Sequence, residues 1–480
     1  MRDLAERALD AAAAAGAEYA ECRVVDRSVQ HLVVKNGVVA AIESDDDEGL
    51  GVRVLAGGAW GFAATCRLDG GSIDDCARLA VRIARASARL GSAPVRLAPL
   101  APAVGDYRTP TRIDPFAVSL EDKLDLLLRV DANMARVPQV RVRECSLEFD
   151  REHRYFASSD GARIEQTIIE SGGGIDATAT SDDDVQRRSY PNSFGRHQLC
   201  AGWEAIESFD LAGNAERIAA EAAALLTADR CPSGVMTVIL DGTQAALQVH
   251  ESCGHPTELD RVLGAEASFA GMSFLTPDLL GSFRYGSDQV TITADSTREQ
   301  GLGTFGWDDE GVPARRVALV DTGIFSGYMT SRESAAVLGQ ESNGTMRADG
   351  WSRLPLIRMT NVNLEAGTSS LEEMIATTER GVFLETNRSW SIDDRRLNFQ
   401  FGTQNGWEIV DGKRVRLVRN ALYSGKTPEF WRSCDAVAGP DEWRMWGVVN
   451  CGKGQPVQSM HVGHGAAPCR FRNVKVEAAL

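Results

Sequence analysis

The residues best suited to chemistry in this chain are His250-Glu251-Ser252-Cys253-Gly254-His255, a carboxylate bracketed by two imidazoles. Two histidines at i and i+4 share one face of a helix and can hold one Zn²⁺ ion. A Glu directly after the first is then placed to take a proton from a zinc-bound water. Here the separation is five. On a regular α-helix that turns the second imidazole about 140° away from the first, too far for one tetrahedral ion. One extra residue looped in as a π-bulge restores the shared face, and such bulges concentrate at functional sites. The spacing therefore predicts a widened turn. An accidental pairing is disfavoured because the chain holds only 7 histidines and the Glu follows the first of the pair directly.

A catalytic zinc takes three protein ligands and keeps a fourth position open. The remaining soft donors are ten cysteines. None forms a CxxC pair, which argues against a zinc ribbon or a disulfide scaffold. Cys451 lies in the segment Val448–Pro456, where glycines on both sides of Lys453 permit a close backbone approach. Cys253 is three residues from His250 and faces the same way on an undistorted helix. His461, His464 and Cys469 make a further cluster near the C-terminal end. On the residues alone these stay alternatives. Arg358 is a candidate for binding a peptide carboxylate or an oxyanion through two parallel guanidinium bonds. Asp308, Asp309 and Glu310 either orient a metal-binding imidazole or cap a turn.

The elements that must position these groups follow from periodicity and turn chemistry. Val235 to Leu240 has the composition of a buried strand, Asp241 that of a helix cap, and Gln244 to Glu251 that of a helix stopped by Pro256. Upstream, an Ala-rich helix precedes alternating segments with turns at Asn36-Gly37 and Gly57-Gly58, then a helix from about Ile73 to Leu90. A Pro- and Ala-rich stretch reads as a linker. A helix near Glu121 to Arg136, strands around Val140–Glu148, Tyr155–Ser158 and Arg163–Glu170, and a helix through Ala215 to Leu226 come next. From Cys231 onward short strands dominate. The expected fold is α+β. It comprises an N-terminal α/β sandwich-like domain (1–94), a linker (95–115), a central α+β domain (116–230) and a β-rich C-terminal domain (231–480) that contains the metal-binding helix.

Composition bounds the function. The 43% hydrophobic and 25% charged residues are those of an ordinary globular protein. A net charge of −16 argues against a nucleic-acid surface. No apolar run reaches membrane-spanning length, and Met1 to Asp10 is an amphipathic helix rather than a signal peptide, so the expectation is a cytoplasmic protein with no membrane partner. The acidic run Asp45–Glu48 is expected as a solvated turn.

Several separated signatures together resemble the TldD/PmbA family of metallopeptidases. These are the HESCGH motif, the Asn450–Pro456 segment, Arg358-Met359-Thr360-Asn361, Asp308–Pro313, and the N-terminal runs Gly49–Val54 and Trp60–Thr65. The likeness spans nearly the whole chain, and it is to the metal-bearing TldD-type subunit, because the metal motif is intact. Pro256-Thr257 departs from the Gly and apolar residue common there. The resemblance implies one Zn²⁺ per chain held by His250, His255 and Cys451, with Glu251 as the base acting on zinc-bound water. It further implies short or unfolded peptides as substrates, and a dimer formed either with a second copy or with a metal-less PmbA (TldE)-like sister. A non-catalytic, zinc-stabilised peptide-binding adaptor is the competing reading, marked by a fourth protein ligand such as Cys253 or His464.

Overall fold

The structure is a computed structural model that describes residues 1–91, 93–269 and 271–479. Its first half is organised by one eight-stranded sheet. The strands are β1 (Tyr19–Lys35), β2 (Val38–Ala56), β3 (Ala59–Thr65), β4 (Val104–Arg108), β5 (Val140–Ser158), β6 (Arg163–Thr180), β7 (Val185–Tyr190) and β8 (His197–Leu199). They run in the order β3-β2-β1-β5-β6-β4, with β7 and β8 also against β6. The predicted turns at Asn36-Gly37 and Gly57-Gly58 join β1 to β2 and β2 to β3. Helices α1 (Arg2–Ala14) and α2 (Gly70–Ala88) bury Ala8, Leu9, Ile73 and Ala77 against Val24, Val52 and Val54 of one part of this sheet. Helices α3 (Leu120–Met134), α4 (Glu204–Phe209) and α5 (Leu211–Leu225) bury Leu127, Val130, Ile206 and Ile218 against Leu147, Phe149 and Ile175 of another.

Several local expectations differ from what is observed. The separate strands expected at Val140–Glu148 and Tyr155–Ser158 are one 19-residue strand, β5. The intervening Phe149–Arg154 looks too charged for a central strand, but Asp150 is paired with Arg27 on the neighbouring β1. The segment expected as a linker carries β4, which pairs in parallel with β6. Asp45–Glu48 is part of β2 rather than a turn, though it is exposed as expected.

The second half is β-rich and organised around a ring. After β9 (Asp229–Arg230) comes β10 (Gly234–Leu240), which pairs with strands Arg380–Ile392 and Cys469–Ala478. The latter pairs with Ala421–Lys426, that with Asn398–Val410, and that with Arg380–Ile392 again. The pairings close on themselves around a core that includes Val238, Leu240, Phe401, Tyr423, Phe471 and Val476. This is the predicted α+β chain with a β-rich C-terminal region. Helix α6 (Gly242–Val249) leaves the end of β10, and a separate hairpin, Arg444–Lys453 with Gln458–Ala466, lies beside it.

Buried ion pairs join the two halves. Arg53 on β2 contacts Glu21 at 2.6 Å and Glu310 at 2.8 Å, and Arg23 contacts Asp309 at 3.1 Å. Asp308 closes the turn, accepting the amides of Glu310 and Val312 at 2.9 Å each. The acidic triplet thus caps a turn and bridges to the first sheet; it does not orient an imidazole. Removing one member of a buried ionic cluster strands its partners, which costs about 3–5 kcal/mol. Arg53→Met is therefore expected to lower the thermal unfolding midpoint clearly. An unchanged midpoint would show that the junction contributes nothing to stability.

Candidate metal centre

The site is built on the helix that leaves β10. Asp241 caps it by accepting the Gln244 amide at 2.8 Å. After Val249 the helix widens into a π turn, His250–Gly254, closed by a bond from the His255 amide to the His250 carbonyl. Pro256 follows in a tight turn, His255–Thr257. Widening a helix and then ending it frees carbonyls that still need donors. The Tyr285 hydroxyl donates to the Ser252 carbonyl, and the Thr257 hydroxyl lies 2.9 and 2.8 Å from those of Cys253 and Gly254. Gly254 packs closely, since a Cβ there would lie 2.2 Å from the Met359 sulfur and that side chain would have to shift. The two imidazoles then meet edge to face, their centroids 4.9 Å apart.

Cys451 enters from the neighbouring hairpin. Among the described residues, the donor atoms of His250, His255 and Cys451 lie within 4.8 Å of one another, all three side chains buried. Cys451 Sγ is 3.7 Å from His255 Nε2. The far nitrogens of both rings are engaged: His255 Nδ1 lies 3.0 Å from Glu258 Oε2, and His250 Nδ1 lies 2.8 Å from His464 Nε2. His464 Nδ1 is 2.9 Å from the Val362 carbonyl, so it carries the proton and its Nε2 accepts from His250. These bonds assign protons to Nδ1 of both candidate ligands and leave Nε2 free as a donor.

The electrostatics suit a cation. Burial lowers the pKa of both imidazoles, which keeps them neutral and ligand-competent. Burial opposes ionisation of the Cys451 thiol, but the positive charge of Arg358 favours it, and the thiol is held below its ordinary value. Burial opposes ionisation of Glu258 too, yet Lys453, His255 and Arg261 keep it well below the usual carboxylate range. Two neutral imidazoles and an acidified thiol are a donor set that fits Zn²⁺.

The rival donors lie elsewhere in the local network. Cys253 Sγ sits 3.2 Å from the Tyr285 hydroxyl, and burial pushes its thiol up to about 12. Cys469 is buried in the core of the ring. His464 stands behind His250. His461 pairs with Glu170 at 2.6 Å. The glycines around Lys453 do not serve a ligand approach: Gly452 has room for a side chain, and Gly454 takes φ 85° at the hairpin turn. Lys453 is buried on Asp260, 2.7 Å away.

His250, Glu251, His255 and Cys451 line one wall of a cavity of about 460 Å³, with Thr243, Leu247, Val448 and Arg396 nearby. Arg396 Nη1 is 2.7 Å from Glu251 Oε2. Arg358 is not at this wall, contrary to the expectation that it binds substrate. It is fully buried and donates to the Cys451 and Gln458 carbonyls, so it fixes the strand that carries the thiol. Glu258, Lys453 and Arg396 support the site without having been assigned a role from sequence. Glu258, three residues after His255, had the spacing of a helical partner; Arg396 is brought in by a distant hairpin and left no local signal.

The donor geometry separates the thiols experimentally. Cys451→Ser replaces a soft ligand by a hard one and is expected to release most bound zinc, whereas Cys253→Ser is expected to retain it. Zinc stoichiometry of the two purified variants checks this. The reverse pattern would remove Cys451 from the site.

Comparison with known proteins agrees with the fold. Three family models match in order: PmbA/TldA metallopeptidase domain 1 over residues 20–84, the central domain over 113–228 and the C-terminal domain over 233–477. A metalloprotease of Methanothermobacter thermautotrophicus is 30% identical, covering 96% of this chain and 95% of that protein. A protein named zinc metalloprotease TldD homolog, from Saccharolobus solfataricus, is 27% identical over 51% of this chain and 52% of that one. Among solved structures, TldE from Thermococcus kodakarensis superposes with a TM-score of 0.77 at 16% identity, covering 98% of this chain and 99% of that one. With family models matched in sequence order over most of its length, this chain belongs to the PmbA/TldD family of metallopeptidases.

Proposed function

We propose that the protein is a zinc-dependent peptidase that hydrolyses short or unfolded peptides, with His250, His255 and Cys451 as metal ligands and Glu251 as general base. The observation that carries this reading is a set of three buried donors on the wall of a cavity that Glu251 also lines. Zn²⁺ held by His250, His255 and Cys451 would supply Lewis acidity, lowering the pKa of a water beside Glu251 towards about 7. Glu251 accepts a proton from the attacking water and returns it to the departing amine. Arg396, paired with Glu251, holds that carboxylate at the cavity wall. Glu258 and His464 fix the two imidazoles so that each presents Nε2.

The adaptor reading calls for a fourth protein donor, and neither of its candidates belongs to the donor set: His464 is bonded to His250 Nδ1 and Cys253 lies against Tyr285. Three donors facing a cavity favour catalysis.

We further propose that the protein works as a dimer, with a second copy or with a metal-less PmbA (TldE)-like sister. Among the described residues, no helix is long and apolar enough to cross a membrane.

Two measurements test these statements. Glu251→Gln keeps the shape but removes the base, so peptide hydrolysis is expected to fall by about 10² or more while zinc stays near one per chain. Full activity in that variant would eliminate the base, and loss of zinc would make Glu251 a ligand. In light scattering the active species is expected at twice the mass of one chain; a monomer that cleaves peptides at the same rate would refute the dimer.

A further inference from the structure

The same cavity is lined by two aromatic side chains from different parts of the chain. Phe194 sits in the turn after β7, and Trp390 on strand Arg380–Ile392 of the ring; both line the cavity, together with Ile392, Leu247 and Val448. Their rings meet edge to face at 6.2 Å. Neither is a core residue: Phe194 is half-buried and Trp390 is 44% exposed.

Phe194 is held against its own backbone preference. Its φ of 61° and ψ of 21° place a bulky aromatic in the left-handed region, a conformation that persists only where the surroundings impose it and that collects at ligand-contacting sites. The side chain of Asn192 ties down the start of this turn. Asn192 Oδ1 accepts the Ser193 amide at 2.8 Å, and Asn192 Nδ2 donates to the Gly447 carbonyl at 3.2 Å. Gly447 belongs to the strand that carries Cys451. The turn that carries Phe194 is therefore tied to the strand that carries Cys451. The Arg187 guanidinium lies over the Phe194 ring, 5.1 Å from its centroid. Core packing would not need this arrangement, because it leaves both aromatic side chains partly exposed where they line the cavity.

We propose that Phe194, Trp390 and Ile392 form a side-chain subsite that takes an apolar or aromatic residue of the peptide close to the cleaved bond. This rests on the peptidase reading. A hydrophobic pocket discriminates by about 10- to 200-fold for a single methylene, so a Leu or Phe against a Gly at the right position is well within its reach.

The test uses zinc-loaded full-length protein and peptides that differ at one position, carrying Gly, Asp, Leu or Phe, with the cleaved bond located by mass spectrometry. At one position, kcat/KM is expected to favour Leu and Phe over Gly by about tenfold or more. In Phe194→Gly and Trp390→Ala the ratio should fall below about threefold, with zinc content unchanged. Absence of a preference in the wild type, or its survival in both variants, overturns the subsite alone. Hydrolysis of none of the peptides overturns the peptidase reading. Calorimetric binding of the same peptides then decides the subsite separately: tighter binding of Leu and Phe peptides that both variants lose sustains it, and equal binding of all peptides overturns it.

Discussion

Two imidazoles five residues apart can face one point only if the helix that carries them widens by one residue. Much of the C-terminal half can be read as support for that single departure from α geometry. The π turn breaks the register of backbone hydrogen bonds, and inside a buried core each carbonyl it frees needs another donor. Tyr285, from a loop far along the sequence, meets the Ser252 carbonyl; Thr257, from the turn that follows, meets Cys253 and Gly254. Trp431 donates to the Ser252 hydroxyl at 2.9 Å. Asp241 anchors the start of the helix, and Gly254 packs against the Met359 side chain.

Burial does two opposed things at this site. It favours neutral imidazoles, which a metal requires, and it disfavours the thiolate, which the metal also requires. The structure resolves the conflict with charge. Arg358 sits behind the strand carrying Cys451, while Glu258 backs His255 and is itself held ionised by Lys453 and Arg261. His250 has a different support, the neutral ring of His464. The two imidazoles therefore do not stand in equivalent environments: one is backed by an anion, the other by a neutral acceptor.

The same economy of charge appears at the junction of the two halves. Arg53, Glu21, Glu310, Arg23 and Asp309 are nearly inaccessible to solvent, yet each has a partner of opposite sign. Removing any one of these charges would strand its partner in the interior. Family-signature segments Gly49–Val54 and Asp308–Pro313 meet here, away from the donor trio, so motifs that look functional in sequence also serve to fix one half against the other.

The sequence by itself determined the α+β class, the turns at Asn36-Gly37 and Gly57-Gly58, the strand and capped helix leading into His250, and the need for a widened turn. All of these follow from periods and spacings within a few residues, where backbone geometry leaves few choices. Tertiary structure alone decided how the donors and their supports are arranged. Nothing local sets Cys451 apart from Cys253 geometrically; the hairpin register brings the first to His255 and leaves the second against Tyr285. Arg358 carried the chemistry of a carboxylate binder but is buried behind the thiol's strand. Arg396 carried no signal and reaches Glu251 from a hairpin 145 residues away in sequence. Side chains contributed by distant segments meet only through strand order and packing, and no spacing along the chain encodes those directly.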